Sequence, residues 1–290
     1  MPRFRGVTSR VFIGAVFLAA LAAAAVTGYA GHGKEGPLVA VMFDDGWLDQ
    51  YRNALPILLE YDIPATFAVQ VEAMGLDRGT RAARMDPKEL RELRGLGMEF
   101  ASHSMTHPNL TRADSLTLIR ELEVSRDRLG RMGLEPLIFV YPYGEWNETV
   151  AKYVEEAGYA GARTLDPVYV NLSDLNGSPR YWMGGWSITN ETAEDVRYII
   201  DSAGQDRLVI LVYHHVSDDG PSESTTRVEA FRSHMRLLRE GGYRVILLSE
   251  VLPQSEDYSA GWLPLTVTSV AVLTVGAIAV DAFRKKGTVV

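Results

Sequence analysis

From residue 38 to residue 248, short apolar runs alternate with stretches whose apolar residues recur at helical spacing. The runs fall at 38–43, 65–70, 98–101, 137–141, 159–163, 208–213 and 244–248. Their length and content of Val, Ile and Phe fit strands better than helices. The first, Leu38 to Phe43, lies between Gly36-Pro37 and Gly46 and shows no polar alternation, as expected of a strand buried on both faces. Helical periodicity occupies 49–61, 87–95, 114–131, 147–157, 192–203 and 228–240. Asp86-Pro87 opens one of these segments with Pro in the first turn, and Asn147, Thr192 and either Thr111 or Asp114 are suited to cap others. Gly95, Gly130, Gly158 and Gly241 stand where helices should stop. Regular alternation of this kind predicts an α/β fold: a mainly parallel sheet, closed or nearly closed into a barrel, with helices outside. Segment 164–190 breaks the pattern with Pro167, Gly177, Pro179, Gly184 and Gly185, and predicts a long loop or a short extra strand. Residues 216–226 read as a polar, turn-rich loop.

The two ends follow a different pattern. Val11 to Tyr29 carries no charge and is preceded by Arg3, Arg5 and Arg10. As a helix, such a stretch is about 28 Å long, near the thickness of a hydrocarbon core. Leu263 to Val280 is likewise uncharged and is followed by Asp281 and Arg284-Lys285-Lys286. With basic residues outside both segments, the positive-inside rule predicts two transmembrane helices, cytoplasmic termini and a domain on the outer face of a cell membrane. A cleaved signal peptide is the alternative for the first segment, with small residues at Gly28 and Ala30. The expected organisation is an anchor or signal peptide at 1–30, a catalytic domain at 31–252, a tether at 253–262, a transmembrane helix at 263–281 and a basic tail at 282–290.

Composition narrows the partners. The chain of 290 residues has no cysteine, which excludes disulfides, thiolate ligands and thiol nucleophiles. The first 30 residues carry +3 and the last ten +2 of a net charge of −8, so the part between carries −13. That balance argues against nucleic acid and is compatible with a neutral or amino-sugar polymer.

Polar residues able to do chemistry recur just after the predicted strands. Asp44 and Asp45 follow the first, His103 and His107 the third, Tyr143 the fourth and His214 with His215 the run at 208–213, while Arg163 closes the fifth. In a parallel barrel these positions share one rim. A lone Asp-Asp-Gly at a strand end usually makes a turn, and a lone HxxxH is weak evidence. Their convergence points to a site. One aspartate with two histidines is an ordinary ligand set for a divalent ion, with room left for water. His32 and His234 stand apart and are read as structural.

FDDG at 43–46, SHSMTHPNL at 102–110, YPYG at 141–144 and LVYHHV at 211–216, in this order, resemble the polysaccharide deacetylases, the NodB-homology group of carbohydrate esterase family four. The resemblance covers roughly residues 38–250. It implies a distorted (β/α) barrel of about seven strands and a metal-dependent hydrolase that removes N-acetyl, sometimes O-acetyl, groups from glycans. By position it makes Asp44 the general base, Asp45, His103 and His107 the metal ligands, and His214 the general acid beside His215. Tyr143 would lend its backbone N–H to the oxyanion, and Trp182 and Trp186 would wall the acetyl pocket. Zinc is the expected metal, with cobalt, nickel or manganese as substitutes. The arginine that often precedes the Pro-Tyr pair is replaced here by Val140 and Tyr141; Arg163, from the next strand, is expected to supply its charge. A small-molecule amidohydrolase and a non-catalytic glycan-binding membrane protein on the same fold are the rival expectations.

Overall fold

The computed structural model describes residues 36–220 and 223–253. Both predicted membrane segments, the tether beyond residue 253 and the basic tail lie outside those residues. Among the described residues, no helix is long and apolar enough to cross a membrane.

All seven predicted strand segments form strands. In chain order they are β1 (Leu38–Phe43), β2 (Thr66–Val69), β3 (Glu99–Ser102), β4 (Ile138–Val140), β5 (Gly161–Arg163), β8 (Arg207–Tyr213) and β11 (Arg244–Val245). The parallel ladder runs β5-β4-β3-β2-β1-β8, and β11 lies beside the start of β1, where β2 has not yet paired with it. This is the curved, half-barrel arrangement of an α/β sheet with helices outside. The outer helices are α1 (Leu55–Tyr61), α2 (Pro87–Gly95), α3 (Ser115–Ile119), α4 (Ser125–Arg131), α5 (Glu148–Glu156), α6 (Ala193–Asp201) and α7 (Val228–Glu240).

Helix starts follow the predicted caps. The Asp86 carboxylate accepts from the Lys88 and Glu89 N–H groups, Asn147 from Val150 and Thr192 from Asp195. Of the two alternatives near residue 112, it is Asp114 that caps, through the Thr117 N–H. Helix ends are less regular. Gly95 and Gly130 lie inside their helices, and the left-handed residues that follow are Gly97 (φ 86°) and Gly133 (φ 78°). Segments 49–61 and 114–131 each contain a π-helical turn, at Gln50–Ala54 and Arg120–Val124. A wider turn of this kind leaves the apolar spacing nearly unchanged, so periodicity does not reveal it.

Alternation along the strands divides the core. Val39, Val41 and Phe43 of β1 face outward under the helices with Phe67, Phe100, Val209, Leu211 and Tyr213. Ala40 and Met42 face inward with Ala68, Ala101, Ile138, Val140, Leu208, Ile210 and Val212. A third cluster, around Phe139, Tyr141, Val154 and Tyr159, fills the space under α5.

The irregular segment 164–190 joins the two edges of the sheet. It contains β6 (Val170–Asn171), antiparallel to β8, and β7 (Trp186–Ser187), parallel to it. Just before β7, Met183 pairs with Arg163 at the end of β5, its N–H donating to the Ala162 carbonyl (2.9 Å) and its carbonyl accepting from Thr164 N–H (2.7 Å). On the far side Ile188 N–H donates to the Val212 carbonyl (2.8 Å). Residues 183–188 therefore bridge β5 and β8. The bridge fits because it contains glycine: a methyl group on Gly184 would meet the Val168 side chain and, at 2.5 Å, the Asp166 carbonyl oxygen, and one on Gly185 would come within 2.9 Å of Arg163 Cδ. The remaining short strands, β9 (His215–Val216) and β10 (Thr225–Thr226), pair with each other.

Gly184→Ala should thus lower stability by about 1–3 kcal/mol, the usual cost of overpacking. Gly79→Ala, at a position with nothing within 4 Å, should change it by less than about 0.5 kcal/mol. Urea unfolding of the two variants checks the difference.

Candidate active site

The alternation that sorts the core also aims the polar residues at the strand ends. Asp44 continues the inward phase of Ala40 and Met42, His103 that of Ala101, and His214 that of Leu208, Ile210 and Val212. Arg163 faces inward because its neighbour Ala162 faces outward. His215 falls on the opposite phase. Its Nδ1 pairs with Asp49 Oδ2 at 2.5 Å, and its ring lies 4.0 Å from that of Trp47. One residue of register thus separates the two histidines of LVYHHV.

Asp44 and Arg163 form an ion pair in the interior, and both are almost completely buried. Burial alone would raise the Asp44 pKa. The guanidinium, with lesser contributions from His103 and His214, outweighs it and lowers the carboxyl to about 2, so Asp44 remains an anion at any working pH. On its other oxygen, Asp44 faces His214 Nε2 at 3.7 Å. Gln50 ties the two strand ends together: its side-chain N–H₂ donates to the carbonyls of Asp44 (2.6 Å) and His214 (2.8 Å).

Asp45 turns away from Asp44 through a left-handed backbone (φ 72°), followed by Gly46 in the same region (φ 70°). Its Oδ1 lies 3.6 Å from both His103 Nε2 and His107 Nε2. Ser104 (φ 63°) and His107 (φ 62°) are also left-handed, which folds the loop so that two imidazoles four residues apart meet edge to face. Buried Glu121 holds that loop, accepting from Met105 N–H (2.9 Å), Thr106 N–H (2.8 Å) and the Thr106 hydroxyl (2.8 Å). The Ser104 hydroxyl accepts from His107 N–H. Backbone strain is characteristic of functional sites, where the surroundings must over-determine the conformation.

The donor set fits a divalent cation. One ligand atom from each of Asp45, His103 and His107 lies within 4.8 Å of the others. His103 Nδ1 is 2.9 Å from the Val140 carbonyl, which can only accept, so Nδ1 is the donor of that bond and Nε2 is the nitrogen turned toward the site. His107 Nε2 is 3.0 Å from His103 Nε2. Burial, helped by the neighbouring His103, lowers the His107 pKa to about 4 despite the opposing pull of Asp45 and Asp44. Two imidazoles with a carboxylate suit a zinc-type ion.

Tyr143, also left-handed (φ 62°), stands over His107 with ring centroids 4.6 Å apart and is 62% exposed. Asp44, Asp45, His103, His107, Tyr143, Arg163 and His214 are therefore gathered at one rim. Trp186 and Trp182 are not part of these contacts. Trp186 pairs with outward-facing Leu211 and stacks on Tyr169 against the outer core, while Trp182 stacks on Trp146 beside the cluster under α5. A chain reversing between two sheet edges puts bulky rings on the outside, where there is room, and Met183 with two glycines on the inside. His234 is a core histidine, bonded through Nδ1 to the Tyr213 hydroxyl (3.2 Å) and through Nε2 to the Glu191 carbonyl (2.9 Å).

Sequence reasoning missed Trp47, Asp49, Gln50 and Glu121. The first three directly follow the Asp-Asp-Gly turn and read as an ordinary helix start. Glu121 left a signal, since it falls on the buried face with Leu118, Leu122 and Ser125.

Residues 31–162 match a family model described as polysaccharide deacetylase. A peptidoglycan-N-acetylglucosamine deacetylase of Bacillus cereus is 26% identical over 217 residues, covering 74% of this chain and 88% of that protein. A poly-β-1,6-N-acetyl-D-glucosamine N-deacetylase of Staphylococcus aureus is 30% identical over 130 residues, and here the chain spans 45% of the relative's length and the match 41% of its own. A solved family 4 carbohydrate esterase from Streptomyces lividans, in complex with acetate, is 20% identical with a TM-score of 0.51 over 76% of this chain and 97% of that one, a likeness of fold. Strand order, motif order and family match agree: over residues 31–162 the chain is similar to the polysaccharide deacetylases, and its fold is that of their solved relatives.

Proposed function

We propose that this domain removes N-acetyl groups from an amino-sugar polysaccharide of the cell envelope, with help from a divalent metal. One observation carries the reading: a buried, ionised carboxylate (Asp44) stands between a guanidinium and an imidazole, beside a second carboxylate that faces two further imidazoles. A protein that only bound glycans would need no such acid and base side by side. The relatives named as N-acetylglucosamine deacetylases support the substrate class.

Each residue has a part in amide hydrolysis. Asp45, His103 and His107 would hold the ion, which when bound acidifies water and polarises the acetamide carbonyl. Asp44 accepts the proton as the water oxygen bonds to the carbonyl carbon. Arg163 keeps Asp44 ionised and pointed inward, the bracing that the family's missing arginine would otherwise give. The Tyr143 backbone N–H donates to the developing oxyanion, a type of contact worth about 3–4 kcal/mol in other hydrolases. His214 protonates the nitrogen as the C–N bond breaks, releasing acetate and an amine. The proposal places the domain outside the cytoplasm, supported by the basic flanks of the two apolar segments. Zinc is the first choice of metal on the donor set.

Acetate release from N-acetylglucosamine oligomers, set against O-acetylated xylan and small amides, tests the reading; activity confined to small amides would replace it. Asp44→Asn should keep the metal while losing about 10²–10⁴-fold in turnover, the range for a general base. His103→Ala should lose both metal and turnover. Arg163→Met leaves Asp44 buried without its counter-charge and should cost about 3–5 kcal/mol of stability by urea unfolding.

The metal-free chain should also weaken in acid. Between His107's ordinary 6.5 and its folded value of about 4, the unfolded chain binds a proton that the folded chain refuses. Stability therefore falls as pH drops through that window. Asp44, held at about 2 rather than 3.8, extends the loss below pH 4. Urea midpoints measured with chelator from pH 8 to pH 5 should be flat above 6.5 and decline below it.

A further inference from the structure

The Asp45 carboxylate has two oxygens, and the structure gives them different surroundings. Oδ1 faces the two imidazoles. Oδ2 accepts a hydrogen bond from the indole N–H of Trp47, at 3.0 Å. An indole nitrogen can only donate, so this contact persists in one sense whatever the state of the site.

The indole itself is held from both faces. The Arg84 guanidinium lies over one side of the ring system, and the His215 imidazole packs against it at 4.0 Å between centroids. His215 is fixed in turn by Asp49, whose second oxygen accepts from the Val216 N–H at 3.1 Å. The backbone adds further restraint. Trp47 and Arg84 form an antiparallel bridge, Leu48 N–H donates to the Ala83 carbonyl (2.8 Å) and Met85 N–H to the Gly46 carbonyl (2.9 Å). Burial lowers the Arg84 pKa to about 10, still far above neutrality, so the cation over the ring is permanent. An arginine over the ring, a tilted histidine against it and a strand-like bridge leave the indole little freedom.

We propose that Trp47 is a positioning residue for the metal: by occupying Oδ2, it fixes the carboxylate so that Oδ1 is the oxygen offered to the ion. His215 and Arg84 act one layer further out, as the jaws that hold the donor. This assigns a purpose to the second histidine of the His-His pair, which faces away from Asp44. It also explains why a large aromatic ring with an N–H stands two residues after the ligand, since neither the turn at Asp45-Gly46 nor the apolar core requires one there. Partners of this kind, which hold a ligand without touching the metal, change metal affinity by about 10–100-fold when removed.

The inference rests on the metal-site reading above, and the test separates the two. Zinc affinity of the full-length chain is measured by competition with a chromogenic chelator, together with the thermal midpoint of the metal-stripped protein. Trp47→Phe keeps a ring between Arg84 and His215 but has no N–H. Zinc affinity should fall by about 10–100-fold while the metal-free midpoint stays within a degree or two of the parent. If Trp47→Phe also lowers the metal-free midpoint, benzothienylalanine in place of Trp47 preserves the bicyclic shape and removes only the donor, and the same loss of affinity is expected. Zinc affinity within twofold of the parent in the variant that folds normally overturns the role of Trp47 and leaves the metal reading standing. A parent chain that binds no zinc overturns the metal reading itself, and this inference with it.

Discussion

A charge pair inside the barrel is the constraint around which the rest is arranged. Arg163 is fully buried, and Asp44 nearly so. Removing two charges from water is costly, and such a pair is poor evidence for stability in itself. Its value lies in what it fixes. With the guanidinium on one oxygen, the carboxylate stays ionised and its other oxygen faces His214. The surrounding residues serve that arrangement. Small inward side chains (Ala40, Ala68, Ala101) leave room for a long arginine to cross the interior, and Gly185 passes close to its methylenes.

The two adjacent aspartates show how one short motif gives two separate roles. Asp44 ends the strand on its inward phase; Asp45 reverses direction through a left-handed turn and reaches the imidazoles. Two carboxylates side by side in sequence would repel if they shared one environment. Here each has its own counterpart, a guanidinium for the first and an indole N–H with a pair of imidazoles for the second. The division is made by backbone geometry.

Most of the sheet was legible because its signal is local. Apolar runs such as LVAVMF and RLVILVY declare themselves by content and length, and caps such as Asp86 and Thr192 by residue type. The rim site followed from the same reading, since parallel strands collect their C-terminal ends. The choice between His214 and His215 was open in the sequence, but strand phase decides which one faces inward. What stayed hidden depended on long-range placement. Nothing local tells that Gln50 bonds the carbonyl of His214, 164 residues away, as well as that of Asp44, or that Glu121 holds a loop near residue 105. Trp182 and Trp186 were expected as walls of the acetyl pocket only through the family resemblance. Their actual surroundings follow from how residues 183–188 cross between the sheet edges, which periodicity does not encode.

That crossing has a consequence for how the domain can vary. From β1 to β5, each pair of neighbouring strands is connected through a helix. Between β5 and β8 the connection is made by a few main-chain bonds at 163–164 and 188, and the intervening chain packs Val170 and Leu175 into the inner core and pairs with the start of β8. Its turns at 172–182 lie by the first residues of β5 and β8, at the end of the sheet opposite His214, so a change of length there is remote from the rim.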